Sequence, residues 1–171
     1  MKIEDNHKHH GAALTQIVEC RTFKAINVLE ISGKHTAGAF IVNNDIAVYM
    51  KTDAVGPSKG RWPEFKFTFS AKNVREVDEL IGRSNPQLKV FIVLVCWQAK
   101  EICVISGAQF DEMVVARTNA NGGPEKNYQI LVQVLGGKWF SVYMNTPHRR
   151  GLPLAQKKIP RRDFPKRIFE A

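Results

Sequence analysis

A mixed α/β (α+β) domain is the fold class this sequence predicts, and three observations carry it. Val90 to Trp97 is an unbroken run of eight apolar residues, as a strand covered on both faces requires. Two pairs of strand-like runs are joined by tight-turn residues, at Asn43-Asn44-Asp45 and at Gly136-Gly137, and read as antiparallel hairpins. Helical spacing of apolar residues recurs at Leu14, Ile17 and Val18 and again at Val74, Val77, Leu80 and Ile81. A covered strand needs helices on its faces while hairpins supply antiparallel pairs, so one central mixed sheet with flanking helices is expected. At 171 residues the chain suits a single domain.

Residues 1–10 are polar and read as a flexible N-terminus; the clustered His7, His9 and His10 have no carboxylate or cysteine framework beside them to make a metal site. An amphipathic helix is predicted over Gly11 to Thr22. Phe23 to Ile31, rich in Ile, Val and Leu, is the first strand. The hairpin gives the second and third strands, Ala39 to Val42 and Ile46 to Lys51, and Ala54 to Pro63 is a Gly- and Pro-rich loop.

Phe65, Phe67 and Phe69 alternate with Lys66 and Thr68, so the three rings share one face and Lys66 looks the other way. A base-stacking platform has this look, but such a triplet is more often the core side of a strand. Ser70 is a fitting N-cap for a helix over Lys72 to Gly82, with Glu76, Asp78 and Glu79 turned outward. The covered strand Val90 to Trp97 follows, then a strand over Glu101 to Ser106 and a short helix over Gln109 to Ala116. Arg117 to Asn127 reads as an exposed loop, and Tyr128 to Leu135 and Lys138 to Met144 as the second hairpin. The globular domain is thus drawn over residues 11–146. From Pro147 to Ala171 hydrophobicity falls and prolines at 147, 153, 160 and 165 break regular structure, which predicts a basic C-terminal arm.

The charge is concentrated in that arm. It holds eight Lys and Arg against two acids, +6 of the chain's net +9. Dense cations at one end favour a polyanionic partner, because neutralising phosphates releases counterions only where charges crowd together. The candidate contacts are Arg149, Arg150, Lys157, Lys158, Arg161, Arg162, Lys166 and Arg167, joined by Lys59 and Arg61 from the Gly/Pro loop, with DNA or RNA as partner. The same arm would also suit an acidic protein partner or a second copy of the chain. Cys20, Cys96 and Cys103 show no C-x-x-C spacing and read as reduced, the latter two as core packing. No apolar run approaches the roughly 20 residues that span a bilayer, so a cytoplasmic protein without membrane contact is expected. P-loop, dinucleotide, zincin and serine-hydrolase motifs are all missing from the sequence.

A helix, three strands, a helix and a buried strand over roughly Gly11 to Ser106 resembles the core of the restriction-endonuclease-like, or PD-(D/E)XK, superfamily. That resemblance implies a nuclease framework in which an acid near the second strand and an acid-x-Lys at the third hold Mg2+ and position water, while the lysine stabilises charge at the scissile phosphate. Lys51 matches the family lysine at the end of the third strand. Asp45 and Glu30 are the candidate metal acids. Tyr49 stands where the second acid belongs, and a phenol titrating at about 10 is no magnesium ligand at neutral pH. Asp53 and Glu64 are the acids that would restore a site by converging on Asp45, giving Asp45, Lys51 and Asp53 as the catalytic candidates. Two functions follow as expectations: a nucleic-acid-binding protein with an incomplete metal site, or a Mg2+-dependent nuclease with migrated carboxylates. A protein-interaction module is the third.

Overall fold

The computed structural model describes residues 2–53, 56–82, 85 and 87–170; Ala54 and Val55 of the predicted loop lie outside them. In chain order the elements are α1 (Asp5–Val18), β1 (Ile26–Ile31), β2 (Lys34–Val42), β3 (Ile46–Thr52), β4 (Glu64–Ser70), α2 (Ala71–Gly82) and β5 (Lys89–Cys96). There follow β6 (Glu101–Ser106), α3 (Gly107–Asn121), β7 (Asn127–Val134), β8 (Trp139–Thr146), β9 (Arg149–Pro160) and α4 (Lys166–Glu170). The fold is mixed α+β in one domain. Its strands form two sheets where one was expected: a five-stranded sheet ordered β1-β2-β3-β5-β6 and a four-stranded sheet ordered β4-β7-β8-β9.

The five-stranded sheet grows from its hairpin. Asn43 and Asn44 take φ of 52° and 67°, conformations asparagine tolerates better than most residues, and Val42 then pairs with Ile46. Ser32 and Gly33, both at positive φ, make the preceding turn, so β2 begins at Lys34, five residues before the predicted start at Ala39. β5 runs parallel to β3 and antiparallel to β6, which puts the covered apolar run inside the sheet as expected. Between β3 and β5 the chain detours through β4 and α2, and β4 leaves to become an edge of the antiparallel second sheet.

Two cores result. One face of the five-stranded sheet, the buried sides of α2 and α3, and the inner face of the four-stranded sheet share the larger, which contains Phe65, Phe67, Phe69, Phe110 and Phe140. All five are fully buried, so the phenylalanine triplet is core and not a stacking surface. Burial of each ring contributes about 1.5–3 kcal/mol. The opposite face of the five-stranded sheet packs against Ala13 and Ile17 of α1 and against Phe164 and Ile168 at the C-terminus.

Helix α1 starts at Asp5, six residues earlier than predicted. His7 Nδ1 accepts the Glu4 N–H at 3.1 Å, and the His9 ring lies 4.4 Å from that of Trp97, so the histidines are part of the fold and not a frayed end. α3 runs five residues beyond the predicted stop at Ala116. Arg117, Thr118 and their neighbours are polar, which hid the last turns from apolar periodicity; Gly122, at φ 75°, ends the helix as a left-handed cap.

The largest correction is the C-terminal arm, where β9 and α4 are regular structure. Pro153 and Pro160 are accommodated because β9 is an edge strand, where a missing N–H leaves no ladder bond broken. Ile159, Phe164 and Ile168 anchor the segment in the two cores. Truncating the chain before Pro147 is therefore expected to unfold it. Losing those three side chains forfeits roughly 5–9 kcal/mol of burial, against a typical total of about 5–15 kcal/mol. Thermal unfolding by circular dichroism checks this; a truncated chain that melts cooperatively near the full-length midpoint would refute it.

Candidate nucleic-acid interface

Two regions collect chemistry-bearing side chains. The first lies at the carboxyl ends of the parallel strands β3 and β5, the place where open α/β sheets commonly take ligands. Lys51 is there and Asp45 is not: Asp45 precedes β3 at its opposite end, and six residues of strand separate the two by about 20 Å. Glu30 lies on β1 opposite His35, with Oε1 3.3 Å from its Nε2. Asp53 is only 9% exposed and accepts the Trp97 N–H at 3.4 Å. Glu64 sits in the second sheet and accepts from Tyr143 Oη and from Gln133 Nε2, the latter at 3.1 Å. The proposed convergence of these carboxylates on Asp45 does not occur. Among the described residues no three His, Cys, Asp or Glu side chains are grouped to hold a metal ion.

Lys51 meets a different set of partners. Tyr49 and Lys51 lie on the same side of β3, toward α2. Tyr49 Oη donates to Glu76 Oε2 at 2.6 Å and accepts from Asn73 Nδ2 at 2.9 Å, while Lys51 Nζ donates to Asn73 Oδ1 at 2.9 Å and lies 5.4 Å from the Phe69 ring centre. Asn73 also caps α2: its N–H donates to Ser70 Oγ, and its Oδ1 accepts the Ser70 N–H. Glu76, expected to point outward, has a side chain only 11% exposed and takes donors from Tyr49, Asn73 and Lys72. Burial, then the bond to Glu76, pushes the Tyr49 phenol up and keeps it a donor. Burial lowers Lys51 against the opposing pull of Glu76. Tyr49, the residue two before Lys51, is thus bonded to a helix carboxylate whose oxygens are already engaged.

From α1, His10 packs over Gly38, where an added Cβ would come within 2.9 Å of its ring and of the Met50 carbonyl oxygen. Burial, reinforced by the charges of His9, Lys51 and His7, holds His10 below the ordinary imidazole range.

The second region is a cleft of about 420 Å³ on the four-stranded sheet, bordered by Lys66 of β4, Gln129 of β7, Asn145 of β8 and His148, Arg149 and Arg150 of the β8–β9 turn. The buried sides of the helices lie in the two cores, which leaves the outer side of this sheet without a helical cover. The turn is built, not loose. Gly151 N–H donates to Asn145 Oδ1 at 2.9 Å, and Thr146 Oγ1 donates to the Leu152 carbonyl at 3.1 Å. The cleft's two carboxylates are both engaged within the fold. Glu125 forms a two-point pair with Arg117, one contact at 2.8 Å, which holds its carboxyl below the usual range; Glu64 is held by Tyr143 and Gln133. Lys66, Arg149 and Arg150 are exposed and carry no ion pair among the described residues.

Of the predicted phosphate contacts, then, Arg149 and Arg150 line this cleft. Lys158 is exposed on β9 opposite Ser141, and Arg162, Lys59 and Arg61 are also exposed. Four others are engaged within the fold: Lys157 pairs with Glu112, Arg161 with Glu101 and two backbone carbonyls, Arg167 with Asp163 and Gln109, and Lys166 with Glu170 at 3.3 Å. Sequence reasoning passed over Lys66 as a contact, although its alternation with the phenylalanines had already turned it away from the core. Arg117, placed in a loop, had no such signal. No protein-family model, curated protein or solved structure matches this chain.

The depressed His10 makes stability depend on pH. Between the unfolded imidazole value of about 6.5 and its lower folded value, the unfolded chain binds more protons, so stability falls as pH falls through that window. Urea midpoints should drop on acidification from about pH 7 toward 5, with a shallower slope in His10→Gln. Equal slopes in the two proteins would exclude His10 as the source.

Proposed function

We propose that this protein binds nucleic acid through the cleft on its four-stranded sheet, and that the five-stranded sheet with its helices is a restriction-endonuclease-like core lacking a complete metal site. The observation that carries the first part is the charge balance of the cleft. Its carboxylates are satisfied internally while Lys66, Arg149 and Arg150 are exposed and have no ion pair among the described residues, so the surface presents positive charge to an incoming polyanion. The ordered β8–β9 turn supports the same reading, because a backbone already fixed at the two arginines need not be ordered on binding phosphate.

The second part is supported by the succession of helix, three-stranded meander, helix and parallel strand around Lys51. Binding is placed ahead of cleavage because the carboxylate beside Lys51 among the described residues, Glu76, has both oxygens engaged by Tyr49, Asn73 and Lys72, and those residues show no grouping of acids to share a metal ion.

Affinity for an oligonucleotide should fall linearly on a log–log plot against salt. Replacing Lys66, Arg149 or Arg150 by Ala should each reduce that slope by about 0.7 for single strands or 0.9 for duplex. Fluorescence anisotropy over a salt series measures it. Affinity indifferent to salt, or a slope unchanged in the triple alanine variant, would overturn the reading; capture of an acidic protein that survives nuclease treatment, with no oligonucleotide binding, would replace it.

A further inference from the structure

We propose that the cleft face takes an unpaired nucleic-acid strand, with bases stacked on Trp139 and Trp62 and phosphates on Lys66, Arg149 and Arg150. This rests on the nucleic-acid reading of the cleft and adds the class of strand it selects.

Two of the chain's three tryptophans stand at one end of the four-stranded sheet, and both are exposed, Trp139 by 46% and Trp62 by 38%. Along β8, Trp139, Ser141, Tyr143 and Asn145 share a face by alternation, and Asn145 lines the cleft, so Trp139 is on the cleft side. Trp62 stands two residues before Glu64, where the Val134 N–H still donates to the Pro63 carbonyl at 2.9 Å. Its ring lies against the backbone of Gly136: a Cβ there would fall 2.5 Å from the indole. The Arg61 guanidinium is 5.4 Å from the ring centre, a second contact for the exposed indole.

Trp139 and Asn145 are six strand residues apart, about 20 Å, so the face carries the Trp139 ring at one end and arginines at the other, with Ser141 and Tyr143 buried between them. Between them Lys158 stands opposite Ser141, on the same side of the sheet. The floor toward the arginines offers the amides of Asn127, Gln129 and Asn145, which donate and accept at once and suit the edges of bases. A duplex hides its base faces in its own stack and can give this surface only phosphates. An unpaired strand can use all three features, and stacking on tryptophan tolerates any base.

The test is fluorescence anisotropy at fixed salt with labelled oligothymidylate, oligouridylate, an abasic strand of equal length and a duplex of equal length. The expected result is binding of a base-bearing strand about tenfold or more tighter than of the abasic strand, since each stacked base is worth roughly a fivefold to hundredfold change. Trp139→Ala and Trp62→Ala should each lower that difference by the share of one stacked base, about fivefold or more, and leave abasic binding unchanged, while Trp62→Phe keeps it. Thermal midpoints identify any variant that has unfolded, and the exposed Trp139 gives a variant that does not depend on the Gly136 contact. Equal affinity for abasic and base-bearing strands, or folded tryptophan variants that bind as the parent does, would overturn the inference and leave the cationic cleft standing. Failure of every polyanion to bind removes both readings.

Discussion

The alternation of β4 is the constraint on which the two halves of the molecule depend. Phe65, Phe67 and Phe69 point inward and are completely buried in the core shared by both sheets, with Phe69 4.9 Å from the Phe110 ring of α3 and 6.4 Å from Tyr49 of β3. The residues between them, Lys66 and Thr68, have no choice but to face out. A slip of one residue in the β4–β7 register would send three aromatic rings into solvent, so the register is held by a large apolar penalty. Core and cleft are therefore set by the same seven residues, and Lys66 is fixed in place by the burial of its neighbours.

The basic C-terminal segment divides along similar lines. β9 closes the second sheet against β8, and its cations fall on two sides of the strand. Lys157, opposite the buried Val142, turns toward α3 and pairs with Glu112, while Lys158, one residue on, is exposed opposite Ser141. Arg161 is drawn back by Glu101 and by the Leu135 and Gly137 carbonyls, which ties the end of β9 to the β7–β8 turn and to β6. A run of charge that looks uniform in the sequence thus has two physical uses. Cations whose partners lie within the chain hold the fold, and those at the β8–β9 turn and beside it stay available to a ligand.

What was legible in the sequence was what local chemistry dictates. The asparagine turn fixed the β2–β3 register, the apolar run identified β5 as an inner strand, and the Phe-x-Phe-x-Phe alternation gave both the existence and the facing of β4. What was hidden depended on contacts distant in sequence. β9 reads as a proline-broken arm because nothing local reveals that it is an edge strand. The later turns of α3 lack apolar spacing, and Arg117 there is held by Glu125 and the Asn145 carbonyl, from the following loop and from β8. Glu76 looked solvent-facing by helical wheel, and Tyr49, 27 residues earlier, draws it inward. For the candidate site, Arg149 and Arg150 could be named from composition, but the cleft that distinguishes them from Lys157 and Arg161 is a product of strand pairing.

The cluster at the end of β3 shows why a matching motif position does not carry its chemistry with it. Lys51 lies at the end of β3, yet its ammonium is bonded to Asn73, and that amide also accepts the N–H of Ser70, the N-terminal cap of α2. Freeing the Asn73 side chain to serve a ligand would leave the Ser70 N–H without its acceptor, and would leave the Tyr49–Glu76 pair short of a donor in a poorly solvated site. A tyrosine at position 49 fits this arrangement. A carboxylate there would face Glu76 across the same short gap, and two like charges so close cannot both stay ionised without a cation between them. Tyrosine removes that repulsion and turns it into a 2.6 Å hydrogen bond. The side chains around Lys51 thus join β3 to α2, and the surface with charge to spare lies on the other sheet.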